Sequence, residues 1–173
     1  DVEIKNCIFA DNNSEDSLNI IRSKFLIKDS KFLNTKSDAI DIDFGKGKLE
    51  NIMFSDIGND AIDISGTELN AEKIKINGAG DKGISIGEGS KLDAKNITIN
   101  NAGIAIASKD GSEVIANSVF VKSSKIGFAT YMKKPEYGPA YMNINSNSGS
   151  SDFDVSNLYL LESQSSFVID NYR

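Results

Sequence analysis

The sequence predicts an all-β solenoid, a chain wound into about seven coils of roughly 22 residues, each coil built from short parallel strands. Three observations carry this. The first is a recurring phrase, Asp38-Ala39-Ile40-Asp41-Ile42-Asp43, then Asp60-Ala61-Ile62-Asp63-Ile64-Ser65, then Lys82-Gly83-Ile84-Ser85-Ile86-Gly87, with steps of 22 and 22 residues from Ile40 to Ile62 to Ile84. The second is another series half a repeat out of phase, from Ile4-Lys5-Asn6 and Ile27-Lys28-Asp29 through Leu49-Glu50-Asn51, Ala71-Glu72-Lys73 and Ala94-Lys95-Asn96 to Ile115-Ala116-Asn117 and Val155-Ser156-Asn157. The third is the period of the apolar residues, which is two rather than the ~3.6 of a helix, with glycine recurring through the repeats from Gly45 to Gly111.

Read in order, the chain enters on the alternating stretch from Val2 to Phe9, where Cys7 is expected as a packed structural thiol. Alternating runs follow at Ile52-Met53-Phe54, Ile74-Lys75-Ile76 and Ile97-Thr98-Ile99. They are separated by turn signals such as Ile57-Gly58-Asn59-Asp60 and Ala79-Gly80-Asp81-Lys82. No single repeat can bury its own apolar face, so stacking must do it. It is expected to align Ile40, Ile62, Ile84, Ile104 and Ile126 in one interior ladder and Ile42, Ile64, Ile86, Ile106 and Phe128 in another, although the step from Ile84 to Ile104 is 20 residues. Asn6, Asn51, Asn96, Asn117 and Asn157 share one phase and read as stacked turn amides.

The period breaks once. Residues 130–152 hold both prolines, Tyr131, Tyr137 and Tyr141, the strand-like Met142-Asn143-Ile144 and a polar tract from Ser146 to Ser151, and they read as a loop inserted in a single domain spanning 1–173. The chain starts at Asp1 without Met, enters mid-repeat and leaves on Phe167-Val168-Ile169 without a polar cap. It therefore reads as part of a longer protein, or as a solenoid whose open ends associate.

These phrases, with Gly103-Ile104-Ala105-Ile106-Ala107-Ser108-Lys109-Asp110, resemble the right-handed parallel β-helix family, the pectin-lyase-like solenoids. Within it the chain looks most like the β-helix segments of secreted or surface-anchored bacterial proteins. The resemblance implies an extracellular or cell-surface setting. It does not imply one activity, because such solenoids host lyases, hydrolases, epimerases, adhesins and spacers alike.

Composition narrows the chemistry. With no His, the Ser-His-Asp and Cys-His nucleophile schemes and His-ligated zinc are excluded, and one Cys cannot form an intrachain disulfide. A formal charge of −6 argues against nucleic acid as partner, and no apolar run approaches the length of a membrane span. Asn12-Asn13-Ser14 and Asn96-Ile97-Thr98 match the glycosylation sequon, a weak signal.

The sharpest candidate site is the aspartate cluster. With Ile40, Ile42, Ile62 and Ile64 pointing inward, Asp41 and Asp63 point out one above the other, flanked by Asp38 with Asp60 and by Asp43 with Ser65. Two like charges ~5 Å apart repel by about 3 kcal/mol at an effective dielectric of 20. Three things could offset this: Ca²⁺ held by Asp41, Asp43 and Asp63, the Lys82 ammonium one coil on, or a proton shared between carboxylates as in glycoside hydrolysis. A fully hydrated acidic face is the simplest alternative. The resemblance points to the polygalacturonase-like pattern of aspartates on neighbouring coils, yet the Gly-His-Gly and Arg-Ile-Lys of those enzymes are absent. Lyase members use an Arg or Lys base, for which Lys82 and Lys109 are placed, while Arg22 is far along the chain and Arg173 terminal. Tyr131, Tyr137 and Tyr141 could form a sugar platform or simply cover the wall.

The expectation is thus a non-catalytic module, binding polysaccharide or another surface component through residues such as Asp38, Asp60 and Lys109, or serving as a rigid stalk. The alternatives are a polysaccharide lyase or glycoside hydrolase working with Asp41, Asp63 and Lys82, and a self-assembling solenoid. No cofactor is required, with Ca²⁺ the one candidate.

Overall fold

A computed structural model describes residues 1–145, 152–162 and 164–170. The chain is an all-β parallel solenoid of about seven turns with roughly 22-residue spacing and almost no helix. Strands β1 (Val2–Lys5), β2 (Ile8–Asn12) and β3 (Asp16–Ile21) form the first coil, and β4 (Lys24–Thr35) and β5 (Asp38–Asp43) the second. Next come β6 (Lys46–Ile57), β7 (Ile62–Ser65), and the long strands β8 (Glu68–Gly87), β9 (Lys91–Lys109) and β10 (Glu113–Tyr131). After the 3-10 turn Pro135–Tyr137 the chain adds β11 (Tyr141–Asn145), β12 (Asp152–Leu161) and β13 (Ser166–Asp170). Every strand pairing is parallel.

Corners explain how one strand spans several walls. Left-handed residues recur in three columns: Asn6, Asp29, Asn51, Lys73, Asn96 and Ser118; Asp11, Asn34, Asp56, Asn101 and Ser123; Arg22, Phe44, Glu88 and Asp110. Asn, Asp and Ser tolerate this conformation better than branched residues, so the first two columns are polar. The amides do cross from coil to coil, mostly onto carboxylates: Asn51 donates to Asp29 at 2.6 Å and Asn34 to Asp11 at 2.7 Å. Two asparagines fall outside the expected phase, since Asn117 precedes the corner residue Ser118 and Asn157 pairs with Ile126.

The interior is a set of columns. Phe9, Phe32 and Phe54 stack with centroids 4.6 and 5.3 Å apart, and Ile40, Ile62 and Ile84 follow one another in register. Each fully buried Ile contributes about 1.5–3 kcal/mol. A buried hydroxyl column runs beside them, with Thr67 accepting from Gly45 N at 2.9 Å, Ser90 from Thr67 N at 3.0 Å and Ser112 from Ser90 N at 3.1 Å. It satisfies main-chain donors that a turn would otherwise orphan.

Three expectations are corrected. The interior ladder keeps its 22-residue step, so Ile84 lies opposite Ile106, then Phe128, while Ile104 falls opposite Lys82. The second ladder runs Ile42, Ile64, Ile86 and then Ser108 and Thr130. An irregularity between Ala79 and Lys82 sets this register, and main-chain pairing outweighs the apolar phrase. Cys7 is exposed, in the gap between β1 and β2 just past the corner at Asn6, with its thiol donating to Lys5 O at 3.3 Å. The excursion from the wall is shorter than 130–152, because Tyr141–Asn145 pairs in register with residues 113–117. The tract 146–151 and Arg173 lie outside the described residues.

Candidate functional site: an acidic face on the third wall

The aspartates lie on the wall made by β3, β5, β7 and the last parts of β8, β9 and β10. Because Ile40, Ile42, Ile62 and Ile64 are wholly buried, alternation turns Asp41, Asp43 and Asp63 outward. Pairing sets Asn19, Asp41, Asp63 and Ser85 in one rung-by-rung column and Ile21, Asp43 and Ser65 in the next. Asp38 and Asp60 form a third column at the wall's entry, continued by Lys82.

Each group in the entry column has a structural partner. Asp38 Oδ1 accepts from Asp60 N at 2.8 Å and from Asn59 Nδ2 at 2.7 Å, and Asp60 Oδ1 accepts from Lys82 N at 2.8 Å. The Lys82 ammonium is buried, 3.5 Å from Asp60 Oδ1 and in direct contact with Asp81. Burial pushes the Asp60 carboxyl up to about 6, against the pull of Lys82.

The middle column carries more strain. Asp41 Oδ2 accepts from Asn19 at 2.7 Å. Burial first, then the charges of Asp43, Asp16, Asp63 and Asp38, push the Asp41 carboxyl up to about 7. Burial and Asp38 also raise Asp16. Asp63 Oδ1 and Ser85 Oγ are both buried without a hydrogen-bond partner, and Ser85 has 0% exposure. Asp63 pairs with Lys109 Nζ at 3.8 Å, an ion pair beyond hydrogen-bonding distance. Lys109 reaches Asp63 from two coils away by crossing Gly87, where a Cβ would come within 3.2 Å of Lys109 Cε.

The same wall changes character further along. Ala107, Ala129 and Tyr131 are buried in a small outer cluster with Ile104 packed against it. Burial pushes the Tyr131 phenol up to about 12. Asp110 Oδ1 accepts from Lys133 N and Lys134 N, both at 2.6 Å, and Lys134 pairs with Glu88, which fastens residues 132–140 over the corner. The three tyrosines occupy different places: Tyr131 buried on the third wall, Tyr137 43% exposed in the 3-10 turn, and Tyr141 in register with Glu113.

Among the described residues, no group of three or more Cys, Asp or Glu side chains converges closely enough to hold a metal ion; Asp41, Asp43 and Asp63 are spread along the ladder. Sequence reading missed three participants. Ser85 was legible only as one rung of the phrase, with nothing to mark its hydroxyl as unsatisfied. Arg22, far along the chain from the cluster, donates its N to Asp43 O at 2.8 Å, and its guanidinium lies 5.4 Å from the centre of the Phe44 ring. Phe44 is 52% exposed in the left-handed conformation, and its ring lies against Gly66, where a Cβ would be 2.6 Å from it.

Comparison with protein-family models, with curated proteins and with solved structures returns no match. What the chain shares with parallel β-helix proteins is its coil architecture.

Proposed function

We propose that the chain is a rigid, non-catalytic β-solenoid module of an extracellular or cell-surface protein, pectin-lyase-like in lineage, that meets polysaccharide or another surface component through its third wall. The observation that carries this reading is the engagement of Lys82. A lyase needs a free base beside its acidic groups, and here the Lys82 ammonium is buried between Asp60 and Asp81 while the other placed lysine, Lys109, is held as a cation 3.8 Å from Asp63. Seven coils at ~4.8 Å each give a rod of roughly 34 Å, a length suited to spacing or display.

One observation favours a second reading, a polysaccharide lyase or hydrolase: a carboxyl at about 7, as at Asp41, suits a general acid. A turnover assay separates the two. The purified chain is incubated with a panel of acidic and neutral polysaccharides, beside its Asp41→Asn and Asp63→Asn variants. The module reading expects no released product from any of them. Turnover by the parent chain that is lost in either variant, with that variant still melting cooperatively, overturns it.

A further inference from the structure

We propose that the acidic half of the third wall, centred on Asp41, Asp43 and Asp63 with Phe44 at its rim, is a docking surface for a basic polypeptide segment, one presenting Arg or Lys side chains. This rests on the module reading and names its partner's chemistry.

Four features point the same way. The carboxylates are stacked in register on successive rungs, Asp41 against Asp63, with Asp38 and Asp43 in the flanking columns. Their mutual repulsion is large enough to contribute to the upward shift at Asp41, and a bound cation would relieve it. Next to them, Asp63 Oδ1 and the fully buried Ser85 Oγ stand on adjacent rungs of one column without hydrogen-bond partners, two polar atoms that an N–H donor would satisfy on displacing the side chains that cover them, Lys109 first among them.

The protein's own cations already show what the surface attracts. At one margin the Arg22 guanidinium lies over the Phe44 ring at 5.4 Å, and at the other Lys109 stretches across Gly87 to come within 3.8 Å of Asp63. One is a guanidinium on an aromatic face and the other an ammonium beside a carboxylate, the two contacts a basic peptide makes. Between those margins Asp41 has only an amide, from Asn19.

The rim is also unusual for a solvated face. Ile21 is 53% and Phe44 52% exposed, and Phe44 holds a left-handed backbone that costs a bulky residue about 1–2 kcal/mol. Apolar rim, acidic centre and unsatisfied oxygens together fit alternating aliphatic stems and cationic heads, as Arg and Lys supply. An acidic glycan would be repelled.

The test is titration calorimetry with octa-arginine and octa-lysine at 150 mM NaCl, together with amide chemical-shift mapping. Expected are saturable binding and shifts confined to residues 38–44, 63 and 85. The double variant Asp41→Asn/Asp43→Asn should weaken binding at least tenfold, whereas Glu113→Gln/Glu136→Gln, which removes two charges elsewhere, should change it less than twofold. Phe44→Ala should weaken octa-arginine several-fold and octa-lysine less, because guanidinium stacks better on a ring. Lys109→Ala, which frees Asp63, should tighten both. Equal losses in the two double variants, scattered shifts, or no saturation at this salt would overturn the proposal. Such a failure leaves the module reading standing, since only polysaccharide turnover bears against that.

Discussion

The third wall has two halves built on the same main-chain register and opposite side-chain chemistry. On coils one to four its outward positions are Asn19, Asp41, Asp43, Asp63 and Ser85; further along the same columns stand Ala107, Ala129, Lys109 and Tyr131. The acidic half has carboxyls raised by burial first and then by their neighbours' charge, and in the other half Ala107, Ala129 and Tyr131 form a buried cluster. The difference teaches that the solenoid fixes positions and leaves each rung's chemistry free. The cost of an unfavourable rung is local.

The largest expected effect lies at the junction between the halves. Asp60→Ala removes the acceptor of Lys82 N and half of a buried ion pair, and should destabilise the chain by about 3 kcal/mol in urea unfolding. If the loss is below about 1 kcal/mol, Asp81 alone satisfies Lys82 and the junction is softer than drawn. Next, Tyr131→Ala should strip the covered half and cost about 2–3 kcal/mol, with hydrogen exchange rising at Ala107 and Ala129 but not at Asp41.

The acidic half should respond to pH in the opposite sense to a salt-bridged face. Folding raises the Asp41 pKa from 3.8 to about 7, so the folded state binds the proton more tightly. Its stabilising contribution is complete below about 4 and is lost as pH rises through about 7. Melting temperature should therefore fall by a few degrees between pH 5 and pH 8, roughly 2–4 °C per kcal/mol, and Asp41→Asn should flatten that fall. A flat profile in the parent protein would show that neither burial nor the neighbouring carboxylates raise Asp41. The smallest effect belongs to the exposed starts of β6 and β8. Lys46 and Glu68 are paired at 2.6 Å but 68% and 58% exposed, so Glu68→Gln should move stability by no more than about 0.5 kcal/mol.

Much of this was legible in residue spacing. The 22-residue step, the outward Asp41 over Asp63, and the place of Lys82 above Asp60 all follow from a repeat and a period of two. What spacing could not show is where the repeat absorbs an irregularity. The apolar phrase placed Ile104 on the ladder of Ile84, and the pairing between Ala79 and Lys82 moves it opposite Lys82. Arg22 and Phe44 stand one 22-residue step apart in the same corner column, so the spacing held that contact as well; what it could not show is the reach of a long side chain over a glycine. Cys7 shows a further reason: alternation at the edge coil resembles alternation in the middle, but there the thiol is exposed.

The span of Lys109 over Gly87 has a mechanical consequence. Most links between coils join nearest neighbours, so a force along the axis would open the rod one rung at a time. Lys109 belongs to β9, yet its ammonium is tied to Asp63 on β7, with β8 lying between. Peeling β9 away therefore also loads β7, and these three layers should yield as one step at higher tension than their neighbours. The strap is electrostatic, and a basic segment docked on Asp63 would compete for its anchor and soften the rod at that point.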